Sequence, residues 1–440
     1  ILDRLWEKGL SNIFMQVALA LVKKYDICTE VLHLDSSSFH VHGEYNTHDP
    51  LQEENLEPRC IEITYGYSRD HRPDLKQFTL DLICSGDGDI PLWLKTNSGN
   101  ASDSQQFAKI LQQFKKEIDW ESLFVADCAF YSRENLALSS NLKWLTRVPL
   151  TVKAAQKIVN QIPSEELIAS DTEGYRYSAL SQNDSGIEQR WLLVESEKRR
   201  ESDLKKLNKN FEKAAQKLAT ELRQLSRQTF ACIPDARQAA QKLFKKAKYH
   251  QLGEIKIEEI PPSSKKQNQS SAYRVTATAG ESPEKLAPLK VAAGRFILAT
   301  NVLDEQALSH EEMLSHYKGQ QAVERGFRFL KDPMFLTDSV FLKSPQRIEA
   351  LGLIMGLCLL VYSLGQRQLR SELQRREATV PNQLGRPTQR PTLRWIFQCF
   401  QAIHVFDLGK GIQVSNLNEE RLLMLKFFPP ACQRYYLVAE

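Results

Sequence analysis

The chain has 440 residues, 42% of them hydrophobic and 25% charged, which excludes a disordered polymer and supplies apolar surface for about two or three cores. Its 58 Lys and Arg against 54 Asp and Glu leave a net charge of +4, too small, averaged over the chain, to say much about a partner. Eight cysteines, at 28, 60, 84, 128, 232, 358, 399 and 432, include no Cys-x-x-Cys pair, which excludes the common zinc and redox motifs and reads as reduced, cytosolic thiols.

The opening "ILDRLWEKGLSNIFMQVALALVKKYD" predicts a helix. Its acidic residues precede a short apolar run and no initiator Met is present, unlike a secretory leader, so the sequence reads as trimmed or partial. "VLHLDSSSFHVHG" predicts a strand interrupted by Asp35 and three serines. "IEITYGYS" and "FTLDLICS" predict two more, joined by "RDHRPDLKQ", and "IPLWLKTN" follows the turn "GDGD". "SDSQQFAKILQQFKKEI" has the cap and period of a helix, "LFVADCAF" is a short strand ending on Asp127, and a helix from Ser132 and a strand "LKWLTRVP" complete the run. Strands first, then helix and strand in alternation, predict an α/β fold with a mixed sheet flanked by helices.

From Thr151 to Ala299 the character changes to helical segments, a basic tract, and the strands "QLGEIKIEEI", "AYRVTATA" and "GRFILATN", with a Ser/Pro/Lys/Gln linker from Pro261 to Ser271. This part reads as an α+β domain inserted into the first. Between Lys198 and Lys248 stand fifteen Lys/Arg and five Asp/Glu, an excess of ten, so the remaining residues carry about −6 against +4 overall. Leu204, Leu207, Phe211, Ala214, Leu218, Leu222 and Leu225 recur at spacings of three and four, which predicts a long helix with a basic outer face. Core-like composition returns at His310. "IEALGLIMGLCLLVYSLG" is long enough to suggest a membrane span, but it contains Glu349 and merges into "QRQLRSELQRRE", which favours a buried core helix. "VPNQLGRPTQRPT" predicts a loop before a small helical region from Leu393. The expected parts are 1–150 and 301–380 for one core, 151–300 for the insertion, and 381–440 for a C-terminal helical region.

Three acids stand out by position. Asp35 interrupts an early strand, Asp127 ends a later one, and Glu324 lies in "YKGQQAVERGFRFLK". Projected as one helix at about 100° per residue, Tyr317, Gln320, Glu324, Arg328 and Lys331 form a single polar stripe opposite Val323, Phe329 and Leu330. The plainer reading is an ordinary amphipathic helix in which Glu324 bonds Arg328 or Lys331. Three converging carboxylates would instead make an oxygen-rich site for Mg²⁺ or Mn²⁺. His33, His40 and His42 near Asp35 read as strand residues rather than transition-metal ligands, since no cysteine stands near them. Ser36 to Ser38 carry no oxyanion motif, and "GDGD" is too short for a calcium or phosphate loop.

The sequence resembles bacterial insertion-sequence transposases of the DDE class, which have an RNase H-like core. The match is to the group with a Tyr-x2-Arg-x3-Glu-x6-Lys signature, here Tyr317, Gln320, Glu324 and Lys331, with Gln320 in place of Arg. "HLDSSSFHVHGEY" resembles the first-aspartate strand, "GYSRDHRPDLKQ" a hairpin of the group, and "FVADCAFYSREN" the second-aspartate strand; the resemblance runs from Leu32 to Arg370. It implies Asp35, Asp127 and Glu324 as catalytic, metal-binding carboxylates, two Mg²⁺ or Mn²⁺ ions, and cleavage and strand transfer on double-stranded DNA at element ends and target. It further implies a homodimer on DNA, in the bacterial cytoplasm and nucleoid and not in a membrane. Tyr317, Gln320, Arg328 and Lys331, with Lys205, Lys206, Lys209 and Lys213 on the basic helix, are the expected DNA contacts. Two other readings stay open: a catalytically inactive or domesticated DNA-binding relic, and an RNase H-like metal nuclease without strand transfer.

Overall fold

The computed structural model describes residues 1–45, 60–68, 70–101, 103–118, 120–184, 186–261, 272–332, 342–407, 409 and 412–437. Most of the Pro261–Ser271 linker and Arg69 of the "GYSRDHRPDLKQ" motif lie outside them. The chain forms two compact units: Ile1–Thr146 together with Glu312–Glu440, and Arg147–Glu311.

The first unit opens with α1 (Leu2–Glu7) and α2 (Leu10–Tyr25), which buries Leu10, Phe14 and Ala18. Five strands follow with two helices between them: β1 (Val31–Val41), β2 (Lys76–Ser85), β3 (Pro91–Ser98), α3 (Asp103–Glu117), β4 (Leu123–Ala126), α4 (Arg133–Leu138) and β5 (Lys143–Val148). β2 runs antiparallel to both β1 and β3, whereas β4 runs parallel to β1 and to β5. The order β3-β2-β1-β4-β5, with three antiparallel strands and then two parallel to the first, is the RNase H-like arrangement. "GDGD" makes the β2–β3 turn, where Gly88 and Asp89 both take positive φ. "IEITYGYS" does not form the expected strand: its pairing is a single bridge, Thr64 to Gln77. There Gly66 and Gly99 approach so closely that a Cβ on Gly66 would stand 1.9 Å from the Gly99 carbonyl oxygen.

The second unit contains α5 (Lys153–Gln161), β6 (Ile168–Ala169), β7 (Tyr175–Asp184), β8 (Ile187–Ser196), α6 (Glu197–Leu225), α7 (Ile233–Lys245), β9 (His250–Ile260), β10 (Ala272–Glu281), α8 (Pro283–Ala292) and β11 (Arg295–Thr300). β11, β8, β7 and β6 pair in that order, and β9 and β10 make a separate hairpin. The β7–β8 hairpin is absent from the sequence reading, which had helical segments here. "WLLV" in β8 is a short buried apolar run, and periodicity alone does not separate such a run from a helix. The β9–β10 hairpin, α6 and α7 share a small core of Leu225, Ala236, Ala240 and Val275. α6 shows the expected amphipathic pattern, with Leu218 and Leu225 buried and its lysines outward.

The chain re-enters the first unit through α9 (His310–Gly319), α10 (Gln321–Leu330) and α11 (Pro345–Arg375). α11 is apolar and long enough to cross a membrane, but it buries Ile348, Leu353, Met355, Leu359 and Leu360 inside this unit. Gly352 and Gly356 bring its backbone against Thr96 and Leu94 of β3. Its acid, Glu349, accepts a hydrogen bond from the Ile61 N–H at 2.8 Å. The chain finishes with β12 (Val380–Pro381), β13 (Pro387–Thr388), α12 (Leu393–Phe400), β14 (Val405–Asp407), β15 (Ile412–Val414), α13 (Glu419–Leu425) and α14 (Pro430–Gln433). A second cluster of Leu369, Leu373, Val380, Leu393, Ile396, Met424 and Phe427 holds this end to α11.

Candidate active site

Side chains alternate along β1, so His33, Asp35, Ser37 and Phe39 share one face of the sheet. That face receives α10: Phe39 stacks on Phe78 of β2 at 5.5 Å and meets Phe327 of α10 at 6.5 Å between ring centroids. Asp35 is 6% exposed, and its Oδ1 accepts the Ser36 N–H at 2.8 Å. In the parallel β1–β4 pair Leu34 is the partner of Ala126. The next residues along, Asp35 and Asp127, therefore come side by side on strands about 4.8 Å apart. Asp127 is fixed just past β4: its Oδ1 accepts the Ala129 N–H at 2.9 Å, and its carbonyl accepts the Thr146 hydroxyl at 2.7 Å.

Glu324 comes from the far part of the sequence and is exposed in the first turn of α10. Asp35, Ser37, Asp70, Glu324, Arg328 and Lys331 line one cleft of about 740 Å³. Among the described residues Glu324 makes no hydrogen bond or ion pair, so the plainer expectation, a bond to Arg328 or Lys331, does not hold. Lys331 turns to Asp70 instead, at 2.8 Å, and lies 5.3 Å from the centre of the Phe39 ring. Arg328 is exposed and lines the cleft.

The single polar stripe requires correction. The helix breaks between Gly319 and Gln321, where the Gln320 N–H bonds the Tyr317 carbonyl and the Val323 N–H bonds the Gln320 carbonyl, both at three-residue spacing. The projection from Tyr317 to Lys331 therefore does not run through. Gln320 is 6% exposed and belongs to the interior; Tyr317 is half-buried on α9. At the break the backbone runs close to β1: a Cβ on Gly319 would stand 3.2 Å from the His33 ring, which would have to shift to admit it. His33 is buried, and desolvation, with His316 adding to it, lowers its pKa to about 4, so it is neutral at pH 7. Burial also lowers His40, and Asp70 opposes that shift.

Among the described residues no three His, Cys, Asp or Glu side chains stand close enough together to hold a cation as they are placed. Asp35 and Asp127 are joined by strand register, Asp35 and Glu324 by a shared cleft, and the three do not close into one ligand cluster. The donor set, carboxylate oxygens without thiolate, nevertheless suits a hard divalent ion. Asp70 and Phe39 were not singled out from sequence. Asp70 lies inside the "GYSRDHRPDLKQ" motif, and Phe39 continues the period-two row of Asp35, so both carried a readable signal. In the other unit, Lys205, Lys206, Lys209 and Lys213 are exposed on α6. None of the four makes an ion pair among the described residues.

Residues 26–362 match the family model described as "Transposase DDE domain". No curated protein matches the chain. Among solved structures it is similar to the piggyBac transposase synaptic complex with hairpin DNA, at 9% identity and a TM-score of 0.36, over 79% of this chain and 51% of that one. The chain thus spans about half the length of that transposase, and so remote a likeness adds nothing to the fold argued from strand order.

Proposed function

The chain belongs to the transposase DDE domain family, and from that premise we propose that it cleaves insertion-sequence ends in double-stranded DNA and joins the freed 3′-hydroxyl to a target. Asp35, Asp127 and Glu324 would hold Mg²⁺ or Mn²⁺, two ions by the chemistry of the reaction. When bound, such ions supply Lewis-acid charge for an in-line phosphoryl displacement. One observation carries the reading: Asp35 and Glu324, distant in sequence, line one cleft beside Asp127.

The residues divide the work. Strand register holds Asp35, and the Ala129 N–H fixes the Asp127 carboxylate, so these two form the rigid part of the site. Glu324 is exposed on a helix and no protein cation among the described residues claims it. Its charge is therefore available to the cleft. Arg328 and Lys331 place positive charge on the same cleft to hold a phosphodiester, and Lys331 does so by exchanging Asp70 for phosphate. Residues 1–150 and 301–380 form the catalytic part in this reading, 151–300 an inserted domain whose basic helix meets DNA, and 381–440 an appended helical region. The protein acts as a homodimer on two DNA ends, in the cytoplasm.

The test uses purified protein, labelled element ends and Mg²⁺, with binding, cleavage and joining scored separately. Asp35→Ala, Asp127→Ala and Glu324→Ala should each abolish cleavage and spare DNA binding, because a lost carboxylate removes both charge and geometry. A variant that cuts at the parent's rate would remove its residue from the mechanism. Parent protein that binds without cutting would be a relic, and one that cuts without joining a nuclease.

A further inference from the structure

α10 carries another cation beside the cleft. Arg325 follows Glu324 and so points about 100° further around the helix. Its Nη2 stands 3.6 Å from Oδ2 of Asp89, whose side chain is 19% exposed in the β2–β3 turn. From α11, Arg370 donates its Nε to the Pro391 carbonyl at 3.0 Å, which ties it to the segment carrying Arg390. Arg325, Arg370 and Arg390 all act on the Asp89 carboxyl, and Arg325 and Arg390 act on Arg370. One guanidinium, that of Arg325, therefore meets the Asp89 carboxylate, and two more lie within its electrostatic reach. Nearby cations differ: Arg367 is matched by Asp87 at 2.9 and 2.7 Å, and Arg394 by Asp332 at 2.5 Å.

Two further signs agree that the cluster lacks negative charge. Burial raises the Asp89 pKa in spite of the three cations, which weakens the only counter-ion this cluster has among the described residues. Arg370 is lowered, by burial first and then by Arg390. Guanidinium forks match phosphate oxygens in geometry as well as charge. Lys331, Arg328 and Arg325 follow one another at three-residue steps along α10, each about 4.5 Å along the axis and about 60° around it. A phosphate backbone leaving the cleft along this row meets the cluster next.

We propose that Arg325, Arg370 and Arg390 form a phosphate-binding node for the backbone of duplex DNA, outside the catalytic cleft and with Asp89 as its occupant in the free protein. The node deepens the reading above and rests on it. A phosphodiester displaces Asp89 from Arg325, so the acid competes with DNA rather than supporting its binding.

The experiment measures fluorescence anisotropy of labelled duplex DNA with the full chain over a range of salt. Arg325→Gln and Arg390→Gln, both at exposed positions, should each weaken binding and make the log–log salt slope shallower by about 0.9. Asp89→Asn should have the opposite sign and tighten binding several-fold. Both arginine variants keeping the parent's slope would overturn the node alone, and so would Asp89→Asn weakening DNA binding. Inorganic phosphate is titrated at constant ionic strength: thermal protection that depends on Arg390, without a change in the DNA slope, would make this a free-anion site and overturn the DNA assignment. A parent protein that binds no duplex DNA would remove the wider reading and the node with it.

Discussion

Gln320 shows how a sequence projection fails. The signature places it among DNA contacts, and an unbroken helix would carry it to the surface, yet Gly319 ends that helix and Gln320 is buried. Gln320→Arg would restore the signature residue, but it must fit a longer, charged side chain into a closed site, which costs about 1–3 kcal/mol. The variant is therefore expected to unfold at lower urea without binding DNA more tightly; parent stability with tighter binding would return the position to the surface. Asp35, Asp127 and Glu324 stood out in the sequence because each breaks a local pattern: a charge inside an apolar strand, a charge at a strand end, a lone acid among cations. The break at Gln320 was not legible, because the segment packs closely on the His33 ring, a contact remote in sequence. His33 gives a second prediction. Its pKa falls from 6.5 when unfolded to about 4 when folded, so between those values the unfolded chain binds a proton that the folded chain does not. Stability is then fully present above pH 6.5 and is lost as pH falls towards 4, by up to about 3 kcal/mol. Urea unfolding across that window should be less pH-dependent in His33→Asn by a comparable amount; an unchanged dependence would mean that His33 is protonated in the fold.

Some elements were easier to read than others. β1, β4 and α6 follow from an apolar run interrupted by Asp35 and three serines, a short apolar run ending on an acid, and a repeat of three and four, signals contained within each segment. β7 and β8 were missed because their stability comes from pairing with each other and with β11, not from local pattern. Arg295 shows such a non-local tie inside the second unit. Its side chain is 0% exposed and sits 2.8 Å from Glu195 of β8. It also donates to the carbonyls of Val159 and Ile162 at 2.9 and 2.6 Å and to the Ser164 hydroxyl at 2.7 Å. One side chain thus joins β11, β8 and the end of α5. Arg295→Met leaves the buried Glu195 with only the more distant Arg200, at 3.7 Å, and the Ser164 hydroxyl, at 3.0 Å, and removes the donor from three oxygens, which should cost up to about 3–5 kcal/mol. Adding Glu195→Leu should recover part of that loss, because the stranded charge goes too. Denaturant unfolding checks both, and a single variant as stable as the parent would mean that the network contributes little.

Across the whole molecule, the cation-rich tract and the three proposed carboxylates belong to different units. The tract from Lys198 to Lys248 holds an excess of ten cations and lies within the unit Arg147–Glu311, whereas Asp35, Asp127 and Glu324 all lie in the other. This segregation was legible in composition alone, since it needs only a count along the chain. The meeting of Asp35 and Glu324 was not: the return of the chain at Glu312 brings Glu324 to the cleft of Asp35, and no local pattern encodes that. If phosphate attraction and chemistry are divided in the same way, they should separate by mutation. Lys205, Lys206, Lys209 and Lys213 replaced by Gln should lower DNA affinity and flatten the log–log salt slope by up to about 3 to 4, at about 0.9 per phosphate contact. Cleavage should fall only as far as occupancy falls and return at higher protein concentration. Asp35→Ala should do the reverse, losing turnover at every concentration while keeping the parent's slope. Combining the changes should give additive binding free energies, because the sites share no partner. A lysine variant with an unchanged slope would make α6 ordinary solvated surface, and strong non-additivity would mean that DNA bound on one unit is felt at the carboxylates of the other.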